Sequence, residues 1–443
     1  MADQVDLVFR TVGERTSRLA LRLAMENIQP AKVHVLENIN PFWRTVQKML
    51  EIPFRCETVV FMDADCLILE DLRPFLEKNT YPHIDACVLD KFRGRVPAGV
   101  HITRADVVER MSRVVIDHDD PRYYLKPESW IRSHALQQMG KSNGLKRFQI
   151  LHDFEQYYEH IFIKLVLREL RSRKWHTQLA LAQRMNKWNF DDMDFLIAKQ
   201  AVDYSRNNFC PGSGKDVHDL LSSLPEIAQA HIQKIGLKRK DDLSNDGVVT
   251  LRNSPMLQSE FMRPPISKKI IGMGLCPTEL KYLKWAMEVF GLIISPSYTA
   301  AMTENSLSLG ISPQSIQDDF DGLIGVALSP YYHQLINEFP SGQFILVKGN
   351  PEQWVSEMET KNSSGRNLLS RTARQILLGQ EFDSSAIEWV KVYQDYYYEA
   401  NEYLKRYASR FLLFDLTKGH SWKELCTFLQ LPLIQEPFFG QLS

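Results

Sequence analysis

The run Thr58-Val59-Val60-Phe61-Met62 is apolar or β-branched throughout, ends on Asp63-Ala64-Asp65, and resumes as Cys66-Leu67-Ile68-Leu69. It reads as a buried strand that stops at two acids. Alternate side chains of an extended chain point the same way, so Asp63 and Asp65 are expected to leave one face together. Two carboxylates so placed suit a hard cation such as Mg²⁺ or Mn²⁺, which takes oxygen ligands and shares them with phosphates. The motif is short, and a solvated turn after a strand would carry the same letters.

The flanking sequence sets the fold around it. Val5–Arg10 reads as a strand, Ser17–Ile28 as a helix, Lys32–Leu36 as a strand running to Glu37, and Phe42–Leu50 as a helix. Strand and helix in alternation predict a parallel α/β sheet. Ligands of such sheets collect beyond the carboxyl ends of the strands, which is where Arg10, Thr11, Glu37, Asp63 and Asp65 fall.

With these residues in place, the stretch from about 5 to 110 resembles nucleotide-sugar glycosyltransferases of the GT-A (Rossmann-like) type. The loop Arg10-Thr11-Val12-Gly13-Glu14-Arg15-Thr16 is similar to the Arg-Ser-x-Gly-Glu-Arg-Thr opening of a group of bacterial glycosyltransferase-like proteins. Val100-His101-Ile102 stands where GT-A enzymes carry an acceptor-side strand. The resemblance implies a nucleotide-sugar donor, a UDP-sugar first, and a carbohydrate, lipid or protein acceptor. It also implies Mn²⁺ or Mg²⁺ on Asp63 and Asp65, with Arg10, Thr11, Glu14, Arg15 and Glu37 lining the nucleotide pocket. Either arginine could pair with phosphate through two parallel bonds, and either could serve a surface ion pair.

At 443 residues the chain exceeds one ordinary core, and two or three domains are expected. A formal net charge of −1 gives no long-range pull on nucleic acid or anionic membrane, so neither is expected as a partner. The six cysteines show no Cys-x-x-Cys spacing, which argues against a disulfide framework or a structural zinc site and for a reducing cytoplasm. The residues from Met1 to Asp6 lack the pattern of a signal peptide, and no membrane span is expected.

From Phe154 the apolar positions Tyr157, Tyr158, Ile161, Phe162, Leu165 and Val166 mark one buried helix face, with Asp153, Gln156, His160 and Lys164 opposite. The helix is expected to open at His152-Asp153-Phe154-Glu155, where acids also favour the dipole. Similar glycosyltransferase-like proteins carry a comparable His-Asp-x-Glu run, and the resemblance implies His152 as a third metal ligand and Asp153 or Glu155 as the base toward the acceptor. Asp191, Asp192 and Asp194 read as caps of a helix from Phe195. Cys210-Pro211-Gly212-Ser213-Gly214-Lys215 lacks the spacing of a phosphate loop and reads as linker punctuation.

After Lys268 the α/β pattern restarts. Lys269–Leu275, Gly322–Val326, Gln343–Val347 and Arg410–Phe414 read as strands, and Thr278–Phe290 as a helix closed by Gly291. Through Phe320-Asp321-Gly322, Phe339-Pro340, Pro351-Glu352-Gln353-Trp354 and Phe414-Asp415-Leu416, residues 268 to about 439 resemble the P-loop-fold sulfotransferases, which use PAPS. The departures fall at the donor site. The family loop Arg-Thr-Gly-Thr-Thr-Ser stands here as Pro277-Thr278-Glu279-Leu280-Lys281-Tyr282, and Arg-Asp-Pro as Gly349-Asn350-Pro351. Each charge-assisted bond lost removes roughly 1.5–3 kcal/mol, so PAPS is disfavoured, though Lys281 or Lys348 could compensate in part.

The expected organisation is a GT-A-like domain over 1–125, a helical extension over 126–205, a linker over 206–265 and a sulfotransferase-like P-loop-fold domain over 266–443. Metal-dependent glycosyl transfer is the leading function. A PAPS-dependent or bifunctional enzyme, and a scaffold of two retired catalysts, are the alternatives. Oligomeric state is left open.

Overall fold

The computed structural model describes residues 5–210, 212–243, 268–295, 319–363 and 386–438. The chain divides into two compact units, Met1–Arg263 and Pro264–Ser443. The expected break at Arg263-Pro264-Pro265 and the junction at 265/266 lie outside the described residues.

In the first unit the chain runs β1 (Val5–Thr11), α1 (Ser17–Ile28), β2 (Lys32–Glu37), α2 (Phe42–Leu50), β3 (Thr58–Asp63), β4 (Cys66–Ile68), α3 (Arg73–Leu76), β5 (His83–Asp90), β6 (Gly94–Arg104) and α4 (Ala105–Ser112). It continues through α5 (Pro121–Leu125), α6 (Pro127–Gln138), β7 (Gly144–His152), α7 (Tyr158–Arg171), α8 (Trp175–Met185), α9 (Met193–Asn208) and α10 (Gly214–Lys234). The strands form one seven-stranded sheet in the order β2-β1-β3-β6-β5-β7-β4. β1 pairs parallel with β2 and β3, as the alternation predicts, while β6 runs antiparallel between β3 and β5. Two reversals restore direction, so β5 and its parallel neighbour β7 end at the same sheet edge as β1 and β3. Asp63, Asp90 and His152 are the last residues of three of these strands.

The period-two alternation of the strands divides the core. Leu7, Phe9, Val60 and Met62 pack with Leu19, Ala20 and Leu23 of α1 on one face. Val8, Val59 and Phe61 pack with Val46, Met49, Val107 and Ile131 from α2, α4 and α6 on the other. A separate helical core joins Phe162 and Leu165 to Ile197, Ala201, Leu220 and Leu224 from α9 and α10.

Three expectations change. The stretch 126–205, read as helical extension, supplies β7 to the sheet, and the helix begins at Tyr158 rather than His152. His152 therefore closes a strand, and Asp153 to Glu155 form the turn after it. The stretch read as linker holds the 21-residue α10, started by a capping box in which Ser213 and Asp216 exchange bonds. The glycines and serine read as punctuation are thus a helix start. Asp192 caps α9 as expected, but the helix opens at Met193 and runs to Asn208.

In the second unit, β8 (Ile270–Met273), β9 (Gly322–Ile324), β10 (Gln343–Lys348) and β11 (Phe411–Asp415) form an all-parallel sheet in the order β11-β10-β8-β9. Helices Pro277–Phe290, Tyr332–Glu338, Pro351–Ser363, Ala386–Leu404 and Trp422–Leu429 accompany it. Gly291 ends the first of them at φ 80, as its C-cap role requires. Ile271, Met273, Phe344 and Leu346 pack with Trp354, Tyr393, Tyr396 and Tyr397.

Candidate active site

β3 stops at Asp63, and Ala64-Asp65 form a tight turn into β4. The two acids are therefore held by different elements. Asp63 Oδ1 accepts from Arg10 Nε at 2.8 Å, across the β1–β3 register that places the two residues side by side. Asp65 turns toward β7 and α7, where its Oδ2 accepts from Lys164 and lies 3.5 Å from His152 Nε2. Asp63 keeps 28% of its side chain exposed and Asp65 only 6%.

Their surroundings shift them in opposite directions. Burial raises Asp63, and the neighbouring Asp65 and Glu128 add to this against the pull of Arg10. Burial would raise Asp65 too, but the Lys164 ammonium and His152 hold it well below the usual carboxylate range. Two acids two residues apart are thus pushed in opposite directions, a pattern common where acids take different roles.

Around Asp65 the ligand atoms of Asp65, Cys66 and His152 lie within 4.8 Å of one another, as do those of Asp90, His152 and Asp153. His152 Nδ1 sits 2.7 Å from Asp90 Oδ2, which fixes the ring with Nε2 toward Asp65. A carboxylate behind an imidazole in this way is the usual support for a metal-binding histidine. The Cys66 thiol is pushed well up by burial and by Asp65, so it stays protonated and is the poorest donor of the set. Among the described residues Asp63 joins neither group. Gly99, at φ 67, makes room for this packing: a Cβ there would stand 2.2 Å from Cys66 Sγ and 2.9 Å from the His152 ring.

Asp153 and Glu155 flank Phe154 with φ of 63 and 58, left-handed values that non-glycine residues adopt only when their surroundings compel them. Arg168 and Lys164 grip Asp153, which is 1% exposed. Glu155 pairs with Arg15 at 2.5 Å and stays half-buried, so of the two acids it is the reachable one.

The remaining residues expected around the nucleotide divide by accessibility. Thr11 Oγ1 donates to Glu14 at 2.7 Å, and the same carboxylate accepts from the Val12 backbone at 2.8 Å, so Glu14 braces the loop from within. Glu37 is exposed at the end of β2, opposite Thr11 in the register. Arg10 is buried, bridging Asp63 and Glu128 and leaving Nη2 without a hydrogen-bond partner. The chain of charges continues from Glu128 to Arg132 at 3.2 Å and on to Asp85 at 3.0 Å, with His83 and His101 bonded to Asp85 as well.

Sequence reasoning missed Glu128, Lys164, Arg168, Asp90 and Cys66 as members of this cluster. Asp90 carried a usable signal, since Ala86-Cys87-Val88-Leu89 ends on it much as the β3 run ends on Asp63. Lys164 and Arg168 carried none, because their helix face reads as solvated.

In the second unit, the loop between β8 and the Pro277–Phe290 helix is filled by protein groups. The Gly274 amide donates to Ser329 Oγ at 2.9 Å, and the Leu275 amide donates to the Tyr397 hydroxyl at 3.1 Å. Glu279 is 3% exposed, and neither of its oxygens has a well-formed hydrogen bond. It lies directly against Gly349, where a Cβ would fall 1.6 Å from Oε1. Burial pushes Glu279 up to about 8; the Asn350 backbone opposes this in part, and Glu357 reinforces it. Lys281 stacks over Trp285 at 4.8 Å.

The family model described as "Sulfotransferase domain" matches residues 311–439, within the second unit. Among solved structures, a mannosyltransferase from Pyrobaculum calidifontis, solved with GDP-Man and Mn²⁺, is 11% identical, with 58% of this chain and 85% of that one covered at a TM-score of 0.25. The glycosyltransferase GlyE of Streptococcus pneumoniae is 8% identical, with 89% and 99% covered at a TM-score of 0.22. Superpositions this loose transfer neither residues nor ligands. No curated protein matches the chain.

Proposed function

We propose that the first unit transfers a sugar from a nucleotide-sugar donor to an acceptor, and that the second unit has lost the use of PAPS. The observation that carries the first half is the gathering of Asp65, Asp90 and His152 at the shared carboxyl edge of the parallel strands, where β3 also ends on Asp63 and where α/β sheets bind ligands. Asp65 and His152 Nε2 would hold Mn²⁺ or Mg²⁺, with Asp63, the more exposed acid, beside them. A bound divalent ion would supply charge neutralisation to the departing diphosphate.

The chain's own groups do the rest. Arg10 fixes Asp63 at the end of β3, and its unpartnered Nη2 is a spare buried donor for an anionic ligand. Asp90 orients His152. Glu155 would accept the proton of the acceptor hydroxyl, with Arg15 holding it in place. Thr11, Glu14 and Glu37 would border the nucleotide.

Support for an inactive second site comes from its occupied amides and from Glu279, which puts a carboxyl where a donor phosphate would need backbone N–H groups. The family match over 311–439, which begins after the β8 loop, is what the contrary reading of a working sulfotransferase would rest on.

A nucleoside diphosphate with Mn²⁺ should raise the melting temperature of the full chain. At a hundredfold excess over its dissociation constant a ligand adds about 2.7 kcal/mol. The double variant Asp63→Ala, Asp65→Ala should lose that shift, along with nucleotide release from a panel of UDP-, GDP- and CMP-sugars. A parent chain that neither shifts nor releases nucleotide with any donor refutes the reading. Calorimetric binding of adenosine 3′,5′-bisphosphate would restore the sulfotransferase alternative.

A further inference from the structure

Lys164 lies on α7 one turn before Arg168, so the two side chains leave the same helix face and reach the acids at the sheet edge. Its ammonium donates to Asp65 Oδ2 and, at 2.8 Å, to Asp153 Oδ1. With it in place each of the three buried acids at this edge has a cationic partner. Asp65, Asp90 and Asp153 are met by Lys164, Arg168 and Arg93, the last 2.9 Å from Asp90.

The oxygen that Lys164 holds is also the one His152 faces, since Nε2 lies 3.5 Å from Asp65 Oδ2. A divalent ion using Asp65 and His152 would therefore share its carboxylate oxygen with an ammonium. Water reaches this place poorly, for Asp65 is 6% exposed, and repulsion between two such cations is little screened. Lysine, with its flexible four-carbon stem, is the kind of cation that can withdraw.

We infer that Lys164 is the resident cation of this site: it occupies Asp65 in the free protein, and a divalent ion gains that oxygen only by displacing it. The purpose of the displacing ion rests on the glycosyl-transfer reading, whereas the position of the lysine does not. The released ammonium becomes a partner for a nucleoside diphosphate. Metal and diphosphate then strengthen each other's binding, by the reciprocity that linkage imposes.

The test is Mn²⁺ affinity of the full chain, read from the electron paramagnetic resonance signal of the free ion, for the parent, Lys164→Met and Lys164→Arg. Lys164→Met should bind Mn²⁺ about tenfold tighter than the parent or better, within the usual span of coupling, and Lys164→Arg should stay near the parent. Adding UDP should tighten Mn²⁺ binding by about fivefold or more in the parent and by a smaller factor in the Met variant, which keeps the direct contact between metal and diphosphate but has no ammonium to release. Far-ultraviolet circular dichroism confirms that each variant is folded, and Lys164→Gln serves as a second neutral replacement. Equal, measurable affinities in the parent and the neutral variants overturn the lysine assignment and leave the glycosyl-transfer reading standing. If no variant binds Mn²⁺ even with UDP present, the assignment falls together with the metal half of that reading.

Discussion

Arg10→Met is expected to destabilise the first unit by about 3–5 kcal/mol, the usual cost of stranding a buried ionic partner. Arg10 is 3% exposed and serves two acids at once, Asp63 through Nε and Glu128 through Nη1. Burial works against its charge, yet the two carboxylates hold it protonated more firmly than a free arginine. They depend on it in turn. Glu128 is held at about 2 against its own burial, chiefly by Arg10, with His101 and Arg132 assisting. Methionine keeps the apolar stem but leaves both acids without that cation, and protonation of Glu128 or Asp63 at neutral pH would offset only part of the loss. The measurement is urea unfolding of the parent, Arg10→Met, Glu128→Gln and the double variant. The double variant should recover part of the loss, because removing both charges strands less than removing one. A single-variant cost below about 1 kcal/mol would place Arg10 among ordinary surface pairs and undo this account of the sheet edge.

How far the sequence foretold this site depends on the range of the interactions that build it. The strand ends were legible, because local alternation and the acids that stop it are local signals: Thr58–Asp63 and the β1–α1–β2 order stand as read. Asp65 was misplaced because the tight turn at Ala64-Asp65 breaks the alternation that would have kept both acids on one face. β7 was read into a helical stretch because it shows no sustained alternation, its last three residues being buried in succession, and its pairing with β5, about 60 residues earlier, leaves no mark in a local window. Lys164 illustrates the same blindness. On the helical wheel it shares a face with other polar residues and reads as solvated, and only the distant turn at Asp65 converts that face into the floor of a charged site. The second unit was read more accurately, since its four parallel strands and Gly291 each announce themselves within a few residues.

That second unit should also lose stability as pH rises, with Glu279 as the cause. Its carboxyl is raised from 4.5 to about 8 by burial, so the folded chain binds this proton more tightly than the unfolded chain does. The sign follows from linkage: the stabilising effect of the bound proton is complete below pH 4.5 and is lost as pH rises through 8. By pH 9 the ionised carboxylate should cost about 3–5 kcal/mol, since it sits against Gly349 with no well-formed hydrogen bond. Glu279→Gln keeps the shape and removes the ionisation. It should therefore match the parent near pH 4, below the unfolded-state value, and exceed it by that amount at pH 9 in urea unfolding. Exchange of the Gln343–Lys348 amides would assign the transition to the second unit. Parallel behaviour of parent and variant across this range would show that the carboxyl finds partners once charged. It would also remove the main reason for regarding the β8 loop as closed to phosphate: a carboxylate that ionises cheaply beside Gly349 could turn outward and leave the loop open, whereas one that resists ionisation holds its place as a neutral plug.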